Sequence, residues 1–280
     1  MSERPSVARW VRIAAAIAVA VAVGEAAVAA EPWRELSRGL EIARFDADGT
    51  ASPHAGAITV LRVHPEDWDL RIFAAADEDA DGNRSVRRCL EEEGLVVAVN
   101  AGMYATDYVT HLGYLGCGEE RNNPRVNAYR SVAAFRPIAA DAPPFRIFDL
   151  DETEFEEIRG RYECLIQNLR LVKRSRENRW PQQGRKWSEV ALAEDVRGRV
   201  LFIHSRNPYS MHDLNEILFA LPIDLVAAQH LEGGPEAQLV YRDGDRGVVL
   251  IGAFDPVVFR PGQGTSGLPV PNILGVAPRD

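Results

Sequence analysis

The sequence predicts an α+β fold, a single domain with a large mixed or antiparallel β-sheet and few helices. Three observations predict it. Short β-branched or alternating runs recur along most of the chain. Only two segments combine helix-start and helix-stop signals. No internal repeat or low-complexity linker divides the 280 residues, and that length can bury a core of its own.

The first 30 residues stand apart. Arg4, Arg9 and Arg12 form a basic start. Ile13 to Val23 is an unbroken apolar run, and Ala27-Val28-Ala29 offers small residues to a signal peptidase. That order reads as a secretory signal over 1–30, leaving 31–280 as an exported domain, periplasmic or extracellular. The apolar run is shorter than the ~20 residues a bilayer span needs. No stable membrane span is therefore expected after signal cleavage; an uncleaved N-terminal anchor is the alternative.

Residues 39–46, 58–63 and 68–75 alternate or cluster β-formers and read as strands. A helix is predicted over 84–93, with Asn83 or Ser85 as its N-cap and Gly94 just past its end. Leu95 to Asn100 reads as a buried strand. Further strands are predicted at 112–117, 131–136, 145–149, 163–168, 188–193, 199–204, 224–230 and 237–242. A second helix is predicted over 210–221. Ser210 caps it, Asp213 echoes a capping box, and Leu214, Ile217, Leu218 and Leu221 form one stripe before Pro222 stops it.

The chain holds 32 Lys and Arg against 41 Asp and Glu, a formal charge of -9. Three Arg and two Glu fall in the first 30 residues, so the remainder stands near -10. That balance argues against nucleic acid as a partner. Of the cysteines, Cys89, Cys117 and Cys164, at most two can pair. One disulfide and three buried thiols are equally compatible with the sequence. No Cys/His spacing matches a structural zinc site, and no cofactor is expected. Asp77, Asp79 and Asp81 fit the first half of a calcium loop. Arg88 then stands where such a loop needs a bidentate Glu, so a polar turn is the simpler reading.

Three segments could carry chemistry. Asn100-Ala101-Gly102-Met103-Tyr104 follows a buried strand, where an amide and a glycine can be aimed at a ligand; an ordinary strand-to-turn junction is the alternative. His230-Leu231-Glu232-Gly233-Gly234-Pro235 is a constrained turn that would hold one acid in a fixed pose, or else a turn with a solvated Glu. Arg170 to Lys186 carries seven cations against one acid, Glu177, with Trp180 and Trp187 nearby. Arg and Lys suit phosphate and an indole suits a ring; a solvated basic loop is the alternative. No G-x-S-x-G occurs, so a serine nucleophile has no support.

The order of these pieces resembles the phosphodiester glycosidase family. The strand into Asn100-Ala101-Gly102-Met103-Tyr104 is similar to the family's N-x-G-[FM] motif. Gln167-Asn168-Leu169-Arg170-Leu171-Val172 resembles its Q-x-x-P-x-L-V segment. Residues 188–219 resemble its strand–turn–strand–helix block, and Leu231-Glu232-Gly233-Gly234-Pro235 its L-D-G-G turn. The resemblance covers residues 90–242. It implies hydrolysis of a sugar joined through its anomeric carbon to a phosphodiester. Glu232 would be one catalytic acid and Asn100 would hydrogen-bond sugar or phosphate. Arg185 and Lys186 would hold the phosphate, and Gln167 and His204 would line the pocket. Gly102, Tyr104, Gly233 and Gly234 would complete the substrate site. For the second carboxylate, Asp107 and Asp213 are candidates without motif support.

Three departures stand beside the resemblance. Glu232 replaces the family's Asp, no Ser follows the glycines, and the proline after Gln167 is missing. A catalytically impaired member that binds an envelope glycan or sugar phosphate is the alternative function. A structural or partner-binding envelope protein without a ligand is a third.

Overall fold

In the computed structural model, which describes residues 32–50, 58–75, 84–254, 256–260 and 267–279, almost every β-forming run has found an antiparallel neighbour. In chain order the first strands are β1 (Arg34–Ser37), β2 (Leu40–Phe45), β3 (Ile58–Val63) and β4 (Trp68–Ala74). The two-residue β5 (Arg84–Ser85) opens into helix α1 (Val86–Glu92), followed by β6 (Val97–Asn100). Next come β7 (Leu115–Cys117), β8 (Glu120–Asn123), β9 (Ser131–Pro137) and β10 (Phe145–Asp149). Helix α2 (Phe155–Arg159) precedes the long strands β11 (Tyr162–Val172), β12 (Trp187–Asp195) and β13 (Val200–Tyr209). Helix α3 (Met211–Ala220) leads to β14 (Leu225–Gly233) and a 3-10 turn, Gly234–Glu236. The chain ends through β15 (Gln238–Asp243), β16 (Arg246–Ile251), β17 (Val257–Phe259), β18 (Pro269–Val270) and β19 (Asn272–Pro278).

Among the described residues these strands form two main sheets. The large one has 11 strands in the order β1-β2-β3-β13-β12-β14-β11-β7-β8, with β9 and β10 added on β11. The smaller has six, β17-β16-β15-β6-β19-β4. The expectation of a mixed or antiparallel sheet resolves to antiparallel pairing throughout.

Side-chain alternation decides the layers. Val200 and Phe202 of β13 join a core shared with Val97 and Val99 of β6, so the two sheets pack face to face. Leu201 and Ile203 point the other way, where Leu214 and Leu218 of α3 cover them. Ala98 of β6 likewise faces Val86, Cys89 and Leu90 of α1. The described domain is thus helix, sheet, sheet, helix.

Both predicted helices form where their caps stand. Ser85 accepts from the amide of Arg88 at 3.2 Å, and Ser210 from that of Asp213 at 3.1 Å. Helix α2 and the strands after residue 243 carry no prediction from the sequence, yet β19 lies inside the smaller sheet, between β6 and β4. Its Gly275 permits this: a Cβ there would stand 2.5 Å from Leu95 Cδ1. Cys117 and Cys164, directly opposed on β7 and β11, form a disulfide. Cys89 is a buried free thiol, its pKa pushed up to about 12 by burial. The predicted signal (1–30) and the Asp77, Asp79, Asp81 loop lie outside the described residues. Among the described residues no helix is long and apolar enough to cross a membrane.

Candidate active site

The site forms where β6 and β14 end. Asn100, fully buried, accepts from the amide of Gln238 at 3.2 Å and so ties the end of β6 to the start of β15. The chain then passes through Gly102 at φ +151°. A Cβ there would meet Asn168 Oδ1 at 2.1 Å and His111 Cε1 at 2.5 Å, so only glycine fits. Asn168 donates to the carbonyl of Ala101 at 2.9 Å, and His111 donates through Nε2 to that of Gln167 at 2.9 Å. Burial pushes the His111 imidazole down to about 4, so it is neutral at neutral pH.

Glu232 stands on β14 opposite Val190 of β12, while His230 stands opposite Ala191. Leu231 is therefore an extra residue, a β-bulge that re-aims the strand just before its acid. Glu232 accepts from the amide of Gly233 at 3.0 Å. Burial raises its pKa, and the nearby Glu236 carboxylate adds to the rise. Tyr104 and Tyr129 belong to the same neighbourhood. Burial raises the pKa of each phenol, and the charge of Glu232 raises it further. The site thus joins a carboxyl with a raised pKa, a second carboxylate and two phenols.

Behind Glu232 lies a buried pair. Glu189 Oε1 and His230 Nδ1 are 2.6 Å apart, and Trp187 donates from its indole to Glu189 Oε2 at 3.0 Å. Burial works against a charged His230, but the adjacent Glu189 carboxylate lifts its pKa above the ordinary value. The Trp187 ring also packs on the glycine turn: a Cβ on Gly233 would lie 2.6 Å from its Cδ1. Gly234, at φ +68°, accepts from Ser188 Oγ at 3.1 Å.

Asn100, Gly102, Tyr104, Glu232, Gly233 and Gly234 thus lie where strands β6 and β14 run out. Other expected site residues have different tasks. Gln167 was expected to line the pocket. It is fully buried, and its amide makes four backbone hydrogen bonds, to Tyr114, Asn127 (two) and Tyr129, at 2.7–3.1 Å. It pins the loop that carries Tyr129. His204 is buried on β13 and hydrogen-bonded to the backbone of Ala237, with its pKa pushed down to about 4 by burial.

Arg185 and Lys186 are exposed, and Lys186 lies near Asp213 at the start of α3. Most of the basic run is already paired. Arg170 binds Asp149 and Asp151, Arg174 binds Glu194 at 2.7 Å, Lys173 binds Glu152, and Arg179 binds Glu177. The charge reversal seen along the chain is neutralised by acids from other segments. Arg170, Arg179 and Trp180 still line a cavity of about 260 Å³, which Arg130 completes. Asp107 caps its own turn through Val109 and Thr110, and Asp213 accepts from Gln182 at 2.9 Å. The carboxylates whose charge acts on Glu232 are Glu236 and Glu189. The sequence hid Glu189 because it is one of three acids in β12, with Glu194 and Asp195, and no spacing marks it as the partner of His230.

A family model described as phosphodiester glycosidase matches residues 93–277. The chain belongs to the phosphodiester glycosidase family. The match runs beyond the 90–242 read from motifs and takes in β16 to β19. Among solved structures, the fold is similar to that of a zebrafish N-acetylglucosamine-1-phosphodiester alpha-N-acetylglucosaminidase, as a catalytic domain auto-inhibited by pro-peptide. The TM-score is 0.59 at 15% identity, over 88% of this chain and 86% of that one. A hypothetical protein from Synechocystis gives a TM-score of 0.57 at 13% identity, over 90% of this chain and 64% of that one. Those identities speak for the fold alone. No curated protein matches the chain.

Proposed function

We propose that this phosphodiester glycosidase is an exported hydrolase that cleaves the bond between a sugar's anomeric carbon and a phosphodiester oxygen. The observation that carries the reading is Glu232, a carboxyl whose pKa burial raises, held on a glycine turn beside Glu236, Tyr104 and Tyr129. Glycosidic cleavage uses two carboxyl groups with unequal pKa values. Glu232 gives its proton to the departing phosphate oxygen. Glu236 takes a proton from the water that attacks the anomeric carbon. Free sugar and a phosphate monoester result.

The phosphate needs cations. Arg130 and Arg179, at the Trp180 cavity, suit this better than Arg185 and Lys186. Their surface ion pairs are worth only about 0–1 kcal/mol and exchange readily for a phosphate. Export follows from the residues 1–30 pattern.

The binding-protein alternative draws on Glu232 standing where the family has Asp. Release of free sugar from a sugar 1-phosphodiester separates the two. The wild type is expected to release it, and Glu232→Gln to abolish release while its thermal unfolding stays unchanged. Full turnover in that variant would remove Glu232 from the mechanism. Binding without turnover in the wild type would favour the alternative.

A further inference from the structure

We propose that Trp187, Glu189 and His230 are positioning residues: together they brace the bulge that aims Glu232 and set the charge beside it. The inference rests on Glu232 being the acid of the proposed reaction.

The brace spans the two strands that carry the bulge. On β12, Trp187 and Glu189 sit two residues apart and so share a face. The indole N–H holds one oxygen of Glu189 at 3.0 Å, and His230 Nδ1 holds the other at 2.6 Å. His230 is the residue before the bulge and Glu232 the residue after it. The same Trp187 ring lies against Gly233, the residue that follows Glu232. Glu232 is therefore fixed on both sides, from His230 by a buried hydrogen bond and from Gly233 by contact.

Burying a carboxylate is costly without partners, and here Glu189 is 1% exposed and His230 4%. A strand that needed only to pair would gain nothing from a charged couple at this position. Beside an acid that must also release its proton, the couple has a use. A charged His230 pulls the Glu232 pKa down, against the rise caused by burial. The other ionisable groups around Glu232 are Glu189 itself, whose charge raises the Glu232 pKa less than His230 lowers it, Glu236 from the 3-10 turn, Tyr104 from the loop after β6 and Tyr129 from the loop before β9. None of these is a cation, so among these groups His230 alone opposes burial with positive charge.

Glu189→Gln keeps the shape of the brace and removes the charge that holds the proton on His230. The test is the pH profile of kcat/KM for a sugar 1-phosphodiester. In this variant the alkaline limb, where Glu232 loses its proton, is expected to move up by as much as about one pH unit, because the lost His230 charge outweighs the lost Glu189 charge. Trp187→Phe, which keeps the ring on Gly233 but loses the N–H, is expected to shift it less. A lower rate in Glu189→Gln with an unmoved limb would overturn the proposal, because a merely structural residue behaves that way. If the wild type has no turnover, the functional reading fails separately. The ¹⁵N chemical shifts of His230 then decide the brace. A protonated ring above neutral pH that becomes neutral in Glu189→Gln supports it, and a ring unaffected by the substitution overturns it.

Discussion

Glu232 shows how little of a residue's role its identity fixes. The acid was visible in the sequence, but the rise in its pKa comes from burial and from Glu236. Its pose comes from a bulge at Leu231 and from a tryptophan packed on the next residue. Gly233→Ala puts a methyl group 2.6 Å from Trp187 Cδ1, so either the ring or the turn has to move. A shift of about 1 Å at a reacting group can cost on the order of 100-fold in rate. Activity should therefore fall far more than stability, as steady-state kinetics beside urea unfolding would register.

His111 and His204 give a second prediction at this scale. Both are neutral in the fold, with pKa values near 4 against an ordinary 6.5. The unfolded chain takes up their protons below pH 6.5 while the folded chain does not. Stability is thus fully present above pH 6.5 and declines as pH falls toward 4, by on the order of 3 kcal/mol for each ring. Urea midpoints measured from pH 7 to 4 should fall, and His204→Gln should flatten the decline. An unchanged slope in that variant would contradict the assignment.

At the scale of elements, the helices and strands with strong local signals were legible. Helices α1 and α3 start at Ser85 and Ser210 as their caps dictate, and β6 is the apolar run before Asn100. Ser210→Ala should cost about 1 kcal/mol, since it orphans the amide of Asp213. Thermal unfolding would measure it, and a stability equal to wild type would show that the cap is redundant. Helix α2 and β16 to β19 escaped the sequence reading for a physical reason. Helix α2 has five residues and no side-chain cap bond. β19 is bounded by Pro271 and Pro278 and interrupted by Gly275, all of which read locally as loop. Its place between β6 and β4 is set by contacts with Leu95 and Phe73, far away in the chain.

For the whole molecule, two sheets enclose one shared core, and the large sheet gains a covalent tie. The Cys117–Cys164 disulfide closes a loop with a sequence separation of 47 and joins β7 to β11. Replacing both cysteines by Ala should lower stability by about 2–4 kcal/mol. Guanidine unfolding of the double variant, compared with reduced wild type, would test this. Equal midpoints for the variant and oxidised wild type would show that the tie contributes nothing.

The sequence by itself determined the α+β class, the acidic balance, the Ser210 cap, the family and the glycine turn bearing Glu232. These are local matters: periodicity, capping, composition and short motifs act within a few residues of one another. Only the tertiary structure decided that Gln167 holds a loop, that the basic run is neutralised by Asp149, Asp151, Glu152 and Glu194, and that Glu189 meets His230. Those outcomes depend on which strands become neighbours, and on how far burial strips a charged group of water. Neither is written in the spacing of residues along the chain.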